Sequence, residues 1–310
     1  MQKILITGSN GLLGQKLVYK LKDRNNVSCI ATARGENRLV KKDGYEYAQL
    51  DITDFNNVKK VFTKYMPDVI INTAAMTNVD ACETDKEGAL LLNTTSVSNQ
   101  VKVLEELSKN NPGYRPHFIH LSTDFIFDGT HGPLDENEKP NPLSYYAETK
   151  LEAERIVQAS SLHWAMARTV LVYGIVDNMS RSNIVLWVKQ NLEQGKTINV
   201  VDDQFRTPTL AEDLADGCIL IAEKKAQGIY NISGKDFLSI LEIAHLVADY
   251  YKLDKSLIKP SKSADIKQPA KRPPITGFII DKAKKDLGYN PHSFVEGIKF
   301  LEEQLKEMGV

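Results

Sequence analysis

A doubly wound α/β fold, with a parallel sheet covered by helices on both faces and a smaller C-terminal lobe, is predicted by three features of the sequence. Short apolar runs rich in β-branched residues alternate with amphipathic helical stretches through the first half of the chain. A glycine-spaced turn, Thr7-Gly8-Ser9-Asn10-Gly11-Leu12-Leu13-Gly14, joins the first run to the first helix. Past Gly174 the rhythm changes, which places a boundary there. Residues 1–173 read as a dinucleotide-binding domain, to which segments near 210–233 return, and 174–310 as mainly a substrate-binding lobe.

The run Lys3-Ile4-Leu5-Ile6 reads as a buried strand. Leu13, Leu17 and Leu21, with Val18 beside them, mark one face of a helix. Glycines at such a turn let a dinucleotide pyrophosphate rest on the helix N-terminus. Gly8 allows the tight turn, Gly11 close approach to phosphate, and Gly14 close packing of helix on sheet. Asn10, Leu12 and Leu13 line the same turn. The spacing Gly-x-x-Gly-x-x-Gly departs from the general Gly-x-Gly-x-x-Gly fingerprint, so placement between strand and helix carries the reading. A plain structural turn is the alternative.

Residues 27–33 read as a second strand. An acid about 20 residues beyond the glycines usually marks a fold specific for NAD, through the ribose 2′-hydroxyl. Arg34 stands there instead, followed by Arg38, Lys41 and Lys42. A guanidinium suits a 2′-phosphate, which favours NADP(H), with NAD(H) admitted; a solvated basic loop is the alternative. Residues 45–50 form a third strand, followed by Asp51 and Ile52. Asp51 is placed to accept from an adenine amine; equally, Thr53 or Asp54 caps the helix over 56–65. The strand over 69–75 ends in Ala74 and Ala75, small enough for a cofactor to lie against the backbone. A long helix is expected over 87–109. Asn93 lies inside it, facing solvent or holding an active-site water or a backbone carbonyl.

The strand over 117–121 opens onto Ser122-Thr123-Asp124-Phe125, and after a loop rich in glycine and proline a helix resumes at its cap, Ser144. Tyr146 and Lys150 are four apart and project from one face of that helix. A free phenol, with a pKa near 10, is a poor acid–base partner at neutral pH. A cation alongside favours the phenolate and draws that pKa toward working pH. Thr123, with Ser122 as second choice, can donate to the same substrate oxygen. That is a kit for moving hydride between a nicotinamide and a sugar or alcohol carbon.

In the second half a helix is expected over 184–192 and a cleft-facing loop over 203–209. In that loop Arg206 either clamps a diphosphate or pairs with a surface acid. A helix over 210–224 and a strand over 228–233 return to the large domain. Ser239 caps a helix running to Tyr251. Residues 255–274, rich in lysine and proline, read as a loop that orders on binding, with Lys271 and Arg272 available to phosphate, or else as a solvated connection. Helices over 281–287 and 293–308 end the chain.

The 310 residues carry 39 Lys and Arg against 40 Asp and Glu, so no net charge draws the chain to nucleic acid or a membrane surface. Cys29, Cys82 and Cys218 are far apart and odd in number, which predicts reduced thiols and a cytoplasmic setting. The six histidines lack metal-ligand spacing, so no metal is expected. A strand at the very start predicts no signal peptide, and no apolar run approaches about 18 residues.

The glycine turn, Asn72-Thr73-Ala74-Ala75, Ser122-Thr123-Asp124 and Tyr146-x-x-x-Lys150 together resemble the extended short-chain dehydrogenases/reductases. Within that family the chain most resembles the dTDP-4-dehydrorhamnose reductases, through residues 122–129, 168–174 and 201–209 and through Arg272-Pro273. Arg206 departs from the glycine usual in those reductases. The resemblance implies a Rossmann fold and NADPH delivering hydride to the C4 ketone of a nucleotide-diphosphate 4-keto-6-deoxy sugar. Tyr146 would protonate the alkoxide, Lys150 would hold the nicotinamide ribose and tune Tyr146, and Thr123 would polarise the carbonyl. Asp124, Phe125, Arg206 and Arg272 would face the sugar nucleotide, and a homodimer is compatible with the family. Two readings stand beside this one. A same-fold epimerase or dehydratase would keep NAD bound, although Thr123-Asp124-Phe125 lacks the second acid of the dehydratases. A non-catalytic NADP-binding subunit, like the regulatory beta subunit of methionine adenosyltransferase, would keep the motifs without turnover.

Overall fold

The protein is described by a computed structural model covering residues 1–179 and 182–307. In chain order the strands are β1 (Gln2–Thr7), β2 (Val27–Ala33), β3 (Glu46–Gln49), β4 (Val69–Asn72), β5 (His117–Thr123) and β6 (His163–Thr169). Then follow β7 (Val172–Tyr173), β8 (Ile198–Val201), β9 (Phe205–Arg206), β10 (Thr209–Leu210), β11 (Gly228–Asn231), β12 (Leu238–Ser239) and β13 (Ile258–Ser261). The helices are α1 (Leu12–Leu21), α2 (Phe55–Tyr65), α3 (Val79–Thr84), α4 (Lys86–Leu90), α5 (Ser96–Asn110) and α6 (Tyr145–Gln158). They continue with α7 (Ile184–Glu193), α8 (Ala211–Glu223), α9 (Ile240–Tyr251), α10 (Asp281–Leu287) and α11 (Phe294–Glu307). Met308, expected in the last helix, lies outside the described residues.

One seven-stranded parallel sheet runs in the order β11-β6-β5-β4-β1-β2-β3. The order reverses between β1 and β4, and ligands of such sheets gather at that crevice. Alternate side chains feed two cores, as strand pleating requires. Leu5, Ile30, Ile70 and Phe118 pack against α2, α5 and α6. Ile4, Ile6, Ile71 and Ile119 pack on the other face against α1 and α8, with Ala283 and Leu287 of α10. A third core joins α7, α9 and α11 with Ile198, Val200 and Ile258 of the parallel pair β8–β13. Strand β11 extends the large sheet beside β6.

Two expectations are corrected. The helix expected over 87–109 is broken: α4 ends at Leu90, a π-helical stretch spans Leu91–Thr95, and α5 begins at Ser96. The break lets buried Asn93 turn its amide inward, where Oδ1 accepts Met76 N–H at 2.7 Å and Nδ2 donates to Met76 O at 3.1 Å. Residues 255–274 are not a bare loop, since Ile258–Ser261 forms β13 against β8. Strand β6 and helix α3 were unpredicted. Strand β6 hides behind residues of mixed polarity, among them Arg168, whose guanidinium is neutralised inside the protein by Glu154 of α6 at 2.7 Å.

Candidate active site

The glycine turn is shaped by contacts that exclude side chains. Gly8 has φ +69°, and a Cβ there would stand 2.9 Å from Ala74 Cα and N, so the turn abuts the end of β4. A Cβ on Gly14 would stand 2.3 Å from Gly8 O and 2.7 Å from Ser9 Cα. Gly11 is the N-cap of α1 and has no side-chain cap, which leaves the first N–H groups of that ten-residue helix pointing into the crevice. A pyrophosphate fits this cradle. Leu12 and Leu13 are half-buried at its edge, as are Ala74 and Ala75 opposite.

Around the adenosine end the outcome is mixed. Arg34 is exposed one residue past β2. A surface cleft of about 560 Å³ lies on the following loop, lined by Glu36, Arg38, Lys42 and Asn178 among others. Asn10 braces the loop after β2: its Nδ2 donates to Glu36 O at 2.8 Å and its Oδ1 accepts Arg38 N–H at 2.9 Å. Asp54 is the cap of α2, accepting from Asn56 and Asn57 N–H. Asp51 Oδ1 is taken by the backbone N–H and hydroxyl of Thr53, at 2.9 and 2.6 Å. Ile52 is buried beneath them.

At the carboxyl ends of the middle strands the chemical groups converge. Ser144 caps α6, Ala147 N–H donating to its Oγ, and Glu83 of α3 accepts Tyr145 N–H at 2.7 Å, so two side chains fix the first turn of α6. Tyr146 and Lys150 project from that helix into the end of β5, and both are buried. Thr123 and Tyr146 are thus both buried at the end of β5. Ser122 Oγ, the second choice, is buried without a partner among the described residues.

Lys150 meets a buried polar row that sequence reading missed. Its Nζ donates to Leu121 O at 2.6 Å and stands 3.4 Å from His120 Nε2. Asn72 Nδ2 donates to His120 Nδ1 at 3.0 Å, and Asn72 Oδ1 accepts from Thr7 Oγ1 at 2.6 Å. Parallel register makes this row, pairing Thr7 with Asn72 and Asn72 with His120 across β1, β4 and β5. A polar residue at the C-terminal end of β1 and of β4, with another in the middle of β5, was the signal available.

Burial decides the charges here. It holds the His120 ring neutral, well below the usual histidine range, with the Lys150 charge acting in the same direction. It draws the Lys150 ammonium down to about 8, against the opposing pull of Glu154. It also pushes the Tyr146 phenol well above the usual tyrosine value. The expected lowering of Tyr146 by Lys150 is therefore corrected: the ammonium is turned toward the Leu121 carbonyl and His120.

The residues expected to face the sugar nucleotide divide. Phe125 is half-buried and meets Tyr146 edge-on, ring centroids 6.1 Å apart. Asp124 and Arg206 are buried, with Nε 3.7 Å from Oδ2. Arg206 also donates to the carbonyls of Phe205, Pro273 and Pro274 and to Gln204 Oε1. That corrects both readings of Arg206: its two terminal nitrogens are spent inside the protein, and the acid it faces is buried. Arg272 is corrected likewise, since its guanidinium forks onto Asp80 of α3 at 2.7 and 3.1 Å.

The family model described as RmlD substrate binding domain matches residues 1–307. Methionine adenosyltransferase 2 subunit beta of Xenopus tropicalis is 32% identical over 265 residues, 84% of this chain and 75% of that protein. The probable low-salt glycan biosynthesis reductase Agl14 of Haloferax volcanii is 28% identical, with 96% of each chain covered. A dTDP-4-dehydrorhamnose reductase of Clostridium acetobutylicum superposes with a TM-score of 0.86 at 29% identity, covering 98% of this chain and 100% of that one. A cradle of three glycines, a Tyr–Lys pair on one helix and a family match running from end to end lead to one conclusion: the chain belongs to the RmlD substrate binding domain family.

Proposed function

We propose that the protein reduces the C4 ketone of a nucleotide-diphosphate 4-keto-6-deoxy sugar, using NADPH. The observation that carries this reading is the Tyr146 phenol, buried and holding its proton at the end of β5, two strands along the sheet from the strand that leads into the glycine cradle. A group that holds its proton is matched to donating it to a developing alkoxide. The bound dinucleotide supplies the hydride. Gly8, Gly11 and Gly14 seat its pyrophosphate, Arg34 meets its 2′-phosphate, and Lys150 orients the nicotinamide ribose. Phe125 forms an apolar wall for the sugar beside Tyr146.

The similarity to a methionine adenosyltransferase subunit keeps a non-catalytic reading in view. Incubation with NADPH and a dTDP-4-keto-6-deoxy sugar separates the two. Many equivalents of NADPH oxidised per protein support the reductase; stoichiometric or absent oxidation supports the binding subunit.

Two smaller predictions arise here. Arg34→Asp removes the partner of the 2′-phosphate and supplies an acceptor for a 2′-hydroxyl, so it should weaken NADPH at least about tenfold relative to NADH. Titration of both cofactors checks this, and an unchanged ratio contradicts the assignment. Lys150 is less basic folded, at about 8, than its ordinary value of 10.5. Between those values the unfolded chain binds the extra proton, so stability rises with pH through that window. Lys150→Met removes the cost of burying the charge. It should stabilise the protein at pH 7 by about 1–3 kcal/mol, the gap narrowing as pH passes 8 to 10.5. Urea unfolding at several pH values measures it; a variant less stable at pH 7 contradicts it.

A further inference from the structure

Between β2 and β3 the chain leaves the sheet, and residues 34–42 carry Arg34, Arg38, Lys41 and Lys42. Side chains from elsewhere hold the main chain of this loop. Asn10 of the glycine turn takes Glu36 O and Arg38 N–H. Leu39 is buried in the core that α1 packs against. Val40 is exposed, yet its N–H has two acceptors, Asp177 Oδ2 at 2.9 Å and the Tyr19 hydroxyl oxygen at 3.1 Å. Lys41 N–H points to the same hydroxyl at 3.4 Å. Tyr19 in turn donates its own proton to Asp177 Oδ2. A phenol that gives its proton to a carboxylate keeps its lone pairs for amides, so the two side chains make one acceptor pad under consecutive residues.

Asp177 comes from the far half of the chain, 137 positions beyond Val40. It is held independently of the loop. Gln15 of α1, itself buried, accepts Asp177 N–H at 3.0 Å and donates to Asp177 O at 3.1 Å. The next residue, Asn178, has φ 52°, a left-handed conformation that asparagine tolerates, and its Nδ2 donates to Arg38 O at 3.2 Å. Both main-chain groups of Arg38 are therefore bonded, one by the glycine turn and one by a residue past Gly174. Arg38, Lys42 and Asn178 line the cleft of about 560 Å³ on this loop, and both cations are exposed. A loose cationic loop has to be ordered by the anion that arrives; a loop already fixed binds without that cost.

We propose that Asp177 is a positioning residue that sets cofactor specificity: with Tyr19 it pins Val40 and Lys41, so that Arg38 and Lys42 stand ready at the cleft for a phosphate monoester. That phosphate is the 2′-phosphate of NADPH, so the assignment rests on NADPH as the cofactor of the proposed reaction. NADH lacks the phosphate and gains nothing from ordered cations. The acid itself does little to repel a phosphate, because its Oδ2 is occupied by the Tyr19 proton and the Val40 amide.

Calorimetric titration with NADPH and with NADH tests this without turnover. Asp177→Ala should weaken NADPH at least about fivefold and leave NADH within about twofold. Asp177→Asn keeps an oxygen for Val40 N–H and should stay within about twofold of the wild type for both cofactors. A folded Ala variant that keeps the wild-type ratio of the two affinities overturns the proposal. So does one that loses both cofactors equally, or an Asn variant as impaired as the Ala variant. Hydrogen exchange on the wild type serves if the Ala variant does not fold: NADPH should slow exchange of the Val40 and Lys41 amides more than NADH does, and equal slowing overturns the proposal. A wild type that binds NADH as tightly as NADPH fails the NADPH reading, and the proposal with it. A wild type that prefers NADPH, beside an Ala variant with the same preference, fails the assignment of Asp177 alone.

Discussion

Replacing Tyr146 by Phe should cost NADPH-dependent reduction of a dTDP-4-keto-6-deoxy sugar about 10²–10⁴-fold in kcat while leaving NADPH affinity within about twofold. The split follows from position. Tyr146 lies at the end of β5 against Phe125, whereas the proposed pyrophosphate cradle of Gly8, Gly11 and Gly14 surrounds the start of α1. The ring itself stays, and with it the edge-on contact to Phe125 and the packing around Cys82 and Ala89. Steady-state kinetics with a cofactor titration measures both quantities. Unchanged turnover would remove the phenol from the chemistry.

Breaking the pair between Glu154 and Arg168 should have the largest effect on stability. Glu154 on α6 accepts from Arg168 Nε at 3.0 Å and from its terminal nitrogen at 2.7 Å, with both side chains almost fully enclosed. Arg168 also lies over the Phe127 ring, 5.3 Å from its centroid. Removing one charge of such a pair strands the other in low dielectric, which costs more than the pair contributes when intact. Glu154→Gln should therefore lower unfolding free energy by about 3–5 kcal/mol, read from chemical denaturation. The double change Glu154→Leu with Arg168→Met should recover most of that loss, because the uncompensated charge is gone. A Gln variant within about 1 kcal/mol of the wild type would contradict this.

What could be read from the sequence was local. The glycine turn lies within eight residues, and Tyr146 and Lys150 are one helical turn apart, so spacing alone places them. The alternation of apolar runs gave the parallel sheet because the inner strands β1, β2, β4 and β5 bury both faces. What escaped the reading depends on partners far along the chain. Arg206 finds Asp124 of the earlier strand end, and Arg272 finds Asp80 across 192 positions, so two cations that read as phosphate ligands are neutralised inside the protein. His120 alone reads as a core residue; only the register of β1, β4 and β5 brings Thr7, Asn72 and His120 into line with Lys150. The effect of Lys150 on Tyr146 failed for a related reason. Four residues of separation fix the face of the helix but not the direction of the ammonium, which the Leu121 carbonyl claims.

The most direct test is transfer of label. NADPH carrying deuterium at the nicotinamide C4 position should, in the presence of the protein and a dTDP-4-keto-6-deoxy sugar, give a sugar nucleotide with deuterium at C4 over many turnovers. Oxidation of NADPH without label in the sugar, or a protein that binds NADPH and transfers nothing, would contradict the account.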